Sequence, residues 1–181
     1  MDRFVALLST LLLLSGPQAL AERSMEEVVV RAQHRDSSLK DTPLALSVFD
    51  SEFLKANRLQ RLESIVLATP NFSGWEQGVS TPLFAIRGIS SNSFGIGGEA
   101  SVGFFVDDTY RGRINSTAIT LVDVEQVEVL KGPQGTLFGR NTSAGAILVR
   151  HFRPDQERSL TVQLEAGEND YFGGYATTNL P

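Results

Sequence analysis

Two histidines, His34 and His151, and no cysteine are all this chain offers toward soft-metal or nucleophile chemistry. The histidines lie far apart with no ligand cluster near either, so both read as ordinary polar residues. No G-x-S-x-G elbow accompanies them, and no hydrolase framework results. Asp107, Asp108 and the more distant Asp123 are the nearest thing to an acidic cation site. Adjacent acids alternate sides on a strand and are commonly solvated at a turn, so no metal is expected there. Gly132, Gly135, Gly139 and Gly145 crowd one stretch, but no Gly-Lys-Ser/Thr step follows, which excludes a phosphate loop. The chain is therefore expected to be no enzyme and to need no cofactor. What remains is recognition chemistry. The guanidinium groups of Arg87 and Arg140 can each grip a carboxylate through two parallel bonds and stay charged when partly buried. Val28–Val30, flanked by Glu26, Glu27, Arg31 and Arg35, prefers an extended form. Near a free terminus it is a strand without an evident home, open to pairing with another chain, unless it serves as the domain's own first edge strand.

Stepping along the chain shows what must position these groups. Arg3 and the free amine precede the apolar run Phe4–Leu14, and Ala19-Leu20-Ala21 supplies a cleavage pattern, so Met1–Ala21 reads as an export signal. At about eleven residues that run is too short to cross ~30 Å of hydrocarbon as a helix. Removing it deletes one acid and one base, leaving the formal charge at −5. Such mild acidity argues against a nucleic-acid partner, which would call for a basic face. Roughly 160 mature residues suffice for one domain.

His34–Thr42 is polar and reads as a mobile linker. From Pro43 the pattern becomes that of a folded unit. Leu44–Phe49 suits a strand, Asp50 caps the helix that follows, and Phe53 and Leu54 are expected to face the core from it. Leu62, Ile65 and Val66 recur at helical spacing, and Pro70 closes that second helix. Pro82–Ile89 reads as a strand with Phe84 and Ile86 on one side and Ala85 and Arg87 on the other. Ser73–Thr81, with Trp75, and Ser90–Ser101, with Asn92, Phe94 and Glu99, read as loops. Val102–Val106 and the segment after Asp107-Asp108 form a hairpin. Near the carboxyl end, Leu160, Val162 and Leu164 alternate with Thr161, Gln163 and Glu165. That is the lipid-out, lumen-in pattern of a transmembrane barrel strand, with Asn169-Asp170 as the turn before Tyr171–Asn179.

The stretch that organises all this is Val124–Val149, VEQVEVLKGPQGTLFGRNTSAGAILV. Val127-Glu128-Val129-Leu130 suits a strand with one buried face, and Lys131-Gly132-Pro133 stops it. The glycines that follow, Gly135 and Gly139 among them, require tight turns or close packing. Ala146–Val149 is a short apolar run of the kind covered on both sides. Read word by word, Val127–Ile147 is similar to the plug-domain signature of TonB-dependent outer-membrane receptors. In that family an N-terminal plug sits inside a large transmembrane β-barrel. The Ile86-Arg87-Gly88 word and the Thr69-Pro70-Asn71 corner resemble the same family.

The resemblance implies an α+β plug domain with a small mixed β-sheet and short helices, spanning residues 43–154. About two strands of a truncated transmembrane barrel would follow over residues 155–181, where a large barrel needs several hundred residues. The chain thus reads as a fragment that gates nutrient passage without transporting alone. It also implies that residues 22–42 carry a TonB box, Glu27, Val28, Val29, Val30, Arg31 and Ala32, recruiting TonB with its ExbB-ExbD motor. Arg87 and Arg140 would meet acidic groups on the barrel wall, and Trp75, Asn92, Phe94 and Glu99 would touch a siderophore, vitamin or glycan. The location implied is the outer membrane. Some positions depart from the family's usual pattern: Arg31 for Thr, Asp108 for Gly and Gln126 for Arg. Leu148-Val149-Arg150-His151 stands where Asn-Ile-Val-Thr is common, so the last plug strand is expected to end early or pack differently. A free periplasmic module that binds a ligand or partner through the same loops is the alternative.

Overall fold

The computed structural model describes residues 28–32, 35–76, 82–90, 99–113, 119–168 and 170–181. The export signal Met1–Ala21 and Glu27, His34, Asn92, Phe94 and Asn169 lie outside the described residues. Two short strands come first, β1 (Val29–Val30) and β2 (Ser37–Ser38), followed by a 3-10 turn over Leu39–Asp41. Ordered structure therefore replaces part of the expected linker. β3 (Leu46–Asp50) leads into α1 (Ser51–Ala56), where the Asp50 carboxylate accepts from Phe53 N at 2.7 Å, the expected N-cap. Leu54 is buried, but Phe53 stays 43% exposed and only flanks the core, its ring 5.5 Å from that of Phe49. α2 (Leu62–Ala68) buries Leu62 and Ile65 and half-buries Val66, as its spacing predicts.

A separate hairpin follows, β4 (Phe72–Glu76) against β5 (Pro82–Ile86). Trp75 is thus on a strand, its backbone paired with Leu83, rather than in a loop beginning at Ser73. β5 ends earlier than the sequence suggested. Arg87 adopts a φ of 53° and Gly88 a φ of 78°, so Arg87 belongs to a turn and not to a strand face. Leu83, Ala85 and Ile86 are all buried, so both faces of β5 are covered.

The main sheet is completed by β6 (Val102–Val106), β7 (Thr109–Tyr110), β8 (Val124–Lys131) and β9 (Gly145–His151), with α3 (Gly135–Phe138) between the last two. Its order is β3-β8-β9-β6-β7. β8 runs antiparallel to both neighbours and β6 runs parallel to β9, so the sheet is mixed and the fold α+β. β9 continues to His151 and does not end early. Asp107 and Asp108 hold φ values of 48° and 62°, the two positive angles of a type I′ turn, despite the missing glycine. The cost is offset locally: Asp107 Oδ1 accepts from His151 N at 2.9 Å, and Oδ2 lies 2.8 Å from His151 Nδ1.

β8 is the central strand and is covered on both faces. Val127, Glu128, Val129 and Leu130 are all at most 1% exposed, which corrects the expectation of one buried face. The alternation is real, but both sides are occupied. Val127 and Val129 join Ile147, Val149, Leu54, Leu62 and Ile65 on the helix side. Leu130 joins Ala146, Phe105 and Ala32 on the other, so part of that face is covered by the chain's own amino-terminal segment.

Of the signature glycines, Gly145 is the most constrained. It has a φ of 156°, and a Cβ there would stand 2.2 Å from Leu130 O. Gly135 was expected to be tight, yet a Cβ on it would meet nothing within 4 Å, because it opens α3 on the surface.

The last two strands, β10 (Ser159–Ala166) and β11 (Phe172–Asn179), form their own antiparallel pair. Gln163, Glu165, Tyr175 and Thr177 are half-buried on one side, while Leu160, Val162, Leu164 and Phe172 stand exposed on the other. The Tyr175 hydroxyl donates to Gln163 Oε1 at 2.6 Å, and the Gln163 amide donates to Glu165 Oε1 at 2.7 Å. Among the described residues there is no closed barrel, and no helix is long and apolar enough to cross a membrane; the latter says nothing about strands.

Candidate functional site

The amino-terminal strand is the best-defined candidate site, and its two edges are held by different means. Backbone groups of alternate residues in a strand point to opposite edges. On one edge, Val29 and Val30 pair with Ser38 and Ser37, and Val28 O accepts from Leu39 N at 2.9 Å. On the other edge, Val29 O accepts from Gln126 Nε2 at 3.0 Å, and Arg31 N donates to Glu128 Oε1 at 3.0 Å. Gln126 and Glu128 lie two residues apart on β8, so their side chains leave the same face with the spacing of a strand edge. The sequence had suggested a strand without a home; in the fold it has one on each side.

Arg150 completes this group from β9, where it is the cross-strand partner of Gln126. Its Nη1 donates to Gln126 Oε1 at 3.2 Å and its Nη2 lies 3.6 Å from Glu128 Oε1. The amide of Gln126 is thereby oriented: its oxygen faces the guanidinium and its nitrogen faces Val29 O. Glu128 is only 1% exposed, and burial pushes its carboxyl above the ordinary value. The Arg31 N–H and the charges of Arg150 and Arg31 oppose that shift without overcoming it. Glu128 Oε2 is buried with no hydrogen-bond partner among the described residues.

The remaining expected residues divide between two other places. Arg140 and Glu99, assigned separately to barrel and ligand contacts, are brought together: Arg140 Nη1 lies 3.3 Å from Glu99 Oε1 in an exposed pair. Next to it, Asn141 Nδ2 donates to the Tyr110 hydroxyl at 2.7 Å, and the rings of Tyr110 and Phe138 each contact Phe105. These bonds fix the signature turn to the β6–β7 hairpin. Arg87 lies elsewhere, beside Lys131 and Gly132. Burial lowers the Lys131 ammonium, and the nearby Arg87 charge lowers it further. Within the amino-terminal segment, Val30 and Ala32 are fully buried, while Val28 and Val29 retain exposure.

Gln126, Glu128 and Arg150 were not singled out as functional by sequence, although Gln126 and the Arg150 region were noted as departures from the family pattern. Alternation of Gln126 and Glu128 with valines reads in sequence as a solvated strand face, so it gave no sign that this acid is buried beside Arg150.

Residues 38–146, more than half of the 181-residue chain, match the family model described as the TonB-dependent receptor plug domain. Over 175 residues the chain is 28% identical to the vitamin B12 transporter BtuB of Vibrio vulnificus, covering 91% of this chain and 27% of the relative. It is 24% identical over 144 residues to the ferrichrome outer membrane transporter/phage receptor of Escherichia coli K12, covering 76% and 18%. The crystal structure of the ferric yersiniabactin uptake receptor FyuA from Yersinia pestis matches with a TM-score of 0.65 at 23% identity, over 72% of this chain and 20% of that one. At that identity the likeness speaks to the fold alone. The chain spans between 18% and 27% of the length of these three relatives.

Proposed function

This chain belongs to the TonB-dependent receptor plug-domain family, and from that premise we propose that it gates passage of a scarce nutrient through an outer-membrane β-barrel in response to TonB. The family match over residues 38–146 carries the reading. The relatives are named for vitamin B12, ferrichrome and ferric yersiniabactin, so the proposed cargo is a ferric siderophore or a comparable compound such as a vitamin or glycan. The proposed location is the outer membrane, reached after loss of Met1–Ala21. The β10–β11 pair supports this with one apolar, exposed face and one polar face turned inward.

Within that reading, Glu27–Ala32 is the TonB-binding segment, engaging TonB by strand addition. Arg87 and Arg140 are the proposed barrel contacts; both are exposed, and Arg140 can exchange Glu99 for a carboxylate of the wall. Trp75, Asn92, Phe94 and Glu99 are the proposed ligand contacts.

The strand-addition step is tested by Val29→Pro, which removes a backbone N–H and disfavours extended pairing. Calorimetric titration with the TonB C-terminal domain is expected to show about tenfold weaker binding or worse, ~1.4 kcal/mol, with the fold retained. Unchanged affinity overturns the assignment.

A further inference from the structure

We infer that Gln126 and Glu128, braced by Arg150, form a side-chain latch that stands in for a neighbouring strand and closes the second edge of β1. The observation is the pair of bonds across 97 residues of sequence: the Gln126 amide to Val29 O and Arg31 N to the Glu128 carboxylate. One side chain donates and the other accepts, at the two positions where a paired strand would offer its own N–H and C=O. With β2 on the opposite edge, the paired stretch of β1 keeps neither edge open for strand addition.

This inference rests on the reading of Glu27–Ala32 as the TonB-binding segment and adds its regulation. An incoming TonB strand pairs with β1 only after the latch or the β2 pairing lets go. The latch is the more easily released of the two closures in chemical terms. Opening it returns a buried carboxylate to water, which offsets part of the lost hydrogen bonding, whereas parting β1 from β2 exposes only neutral backbone groups. Glu128 Oε2, without a partner among the described residues, fits this: there the carboxylate is held by fewer bonds than a buried acid can accept. Gln126 and Glu128 are positioning residues, since they act on TonB binding through β1.

Amide hydrogen exchange on the full exported chain reads the latch with no TonB present. Residues 28–32 are expected to be protected in the parent. Glu128→Leu and Gln126→Leu should each exchange there about tenfold faster or more, while β8 and β9 keep their protection. Glu128→Gln, whose amide oxygen still accepts from Arg31 N, should retain the parent's protection. An unprotected segment in the parent, or leucine variants that exchange at the parent's rate, overturns the latch. Two leucine variants guard against one failing to fold.

Titration with the TonB C-terminal domain then reads the consequence. Both leucine variants should bind several-fold more tightly than the parent and Glu128→Gln. Equal affinity in variants whose segment exchanges freely overturns the gating role. Absence of binding by every variant, opened ones included, instead overturns the TonB reading of Glu27–Ala32 and the gate with it, and exchange alone decides the latch.

Discussion

The two faces of β8 are both closed to solvent, yet they are closed by different kinds of matter. On the helix side, Val127 and Val129 meet Leu54, Leu62, Ile65 and Ile147, a continuous apolar layer built from α1, α2 and the sheet. On the other side, Leu130 meets Ala32 and Ala146, while Gln126 and Glu128 hold a five-residue stretch through hydrogen bonds. An apolar layer cannot be withdrawn without unfolding the domain. A short segment held by two side-chain bonds and two small buried residues, Val30 and Ala32, can. The difference shows how a single strand can serve both as the domain's structural centre and as the seat of a removable element.

The sharpest way to break this comparison is to remove the same kind of burial from each side. Ile147 and Ala32 are both 0% exposed. Ile147→Ala deletes packing that nothing can replace and should lower the unfolding free energy by about 2–5 kcal/mol, read by chemical denaturation. Ala32→Asp should cost far less, about 1–2 kcal/mol at most, because the segment simply undocks and takes the charge into water. Its signature is lost exchange protection over residues 28–32 with the melting temperature little changed. Equal losses in the two variants would show that both faces belong to one cooperative layer.

A smaller effect sharpens the same contrast through pH. Burial raises the Glu128 carboxyl above its ordinary value. Between those two values the folded chain holds a proton that the unfolded chain has already released, so this group's contribution to stability declines as pH rises across the window. Glu128→Gln does not titrate, and the parent-minus-variant difference in unfolding free energy should fall with rising pH. At Asp107, burial is outweighed by the bonds from His151 and the carboxyl sits below its usual range. Its contribution is lost as pH falls rather than as it rises, and it cancels in the difference. A flat difference would place the Glu128 carboxylate in water, and a rising one would mean that Arg150 and the Arg31 N–H outweigh its burial.

Much of the helix-covered face was legible because its causes are local. Asp50 at a cap position and Leu62 with Ile65 at helical spacing state their roles within a few residues. The Val127–Ile147 word identified the family before any fold was known. The segment-covered face was not legible in the same way. Periodicity showed that Glu128 alternates with valines, but not what lies over it, because its partner Arg31 is 97 residues away. Phe53 misled for a related reason: helical spacing sets direction, and the short α1 leaves its flank uncovered. Arg87 misled because the break at the end of β5 depends on a left-handed turn at Arg87 itself, a conformation its residue type does not advertise. Asp108 in place of the family's glycine pointed away from a type I′ turn, yet both φ values are positive, and Asp107 is bonded to His151, a contact that sequence spacing could not supply.

The long span between Arg31 and Glu128 also sets an order in time. The amino-terminal stretch is made first, but its place on β8 does not exist until residues 124–131 have been synthesised and paired. Closing a loop of 97 residues directly costs on the order of 4 kcal/mol in chain entropy by the (3/2)RT ln n scaling. Once Leu46 has paired with Leu130, only the short run from Arg31 to Leu46 remains to be closed, and that scaling lowers the cost by roughly 1.5–2 kcal/mol. β1 therefore docks late, after the sheet has zipped. Until residues 124–131 have been made, the first described strand travels unpaired on that edge.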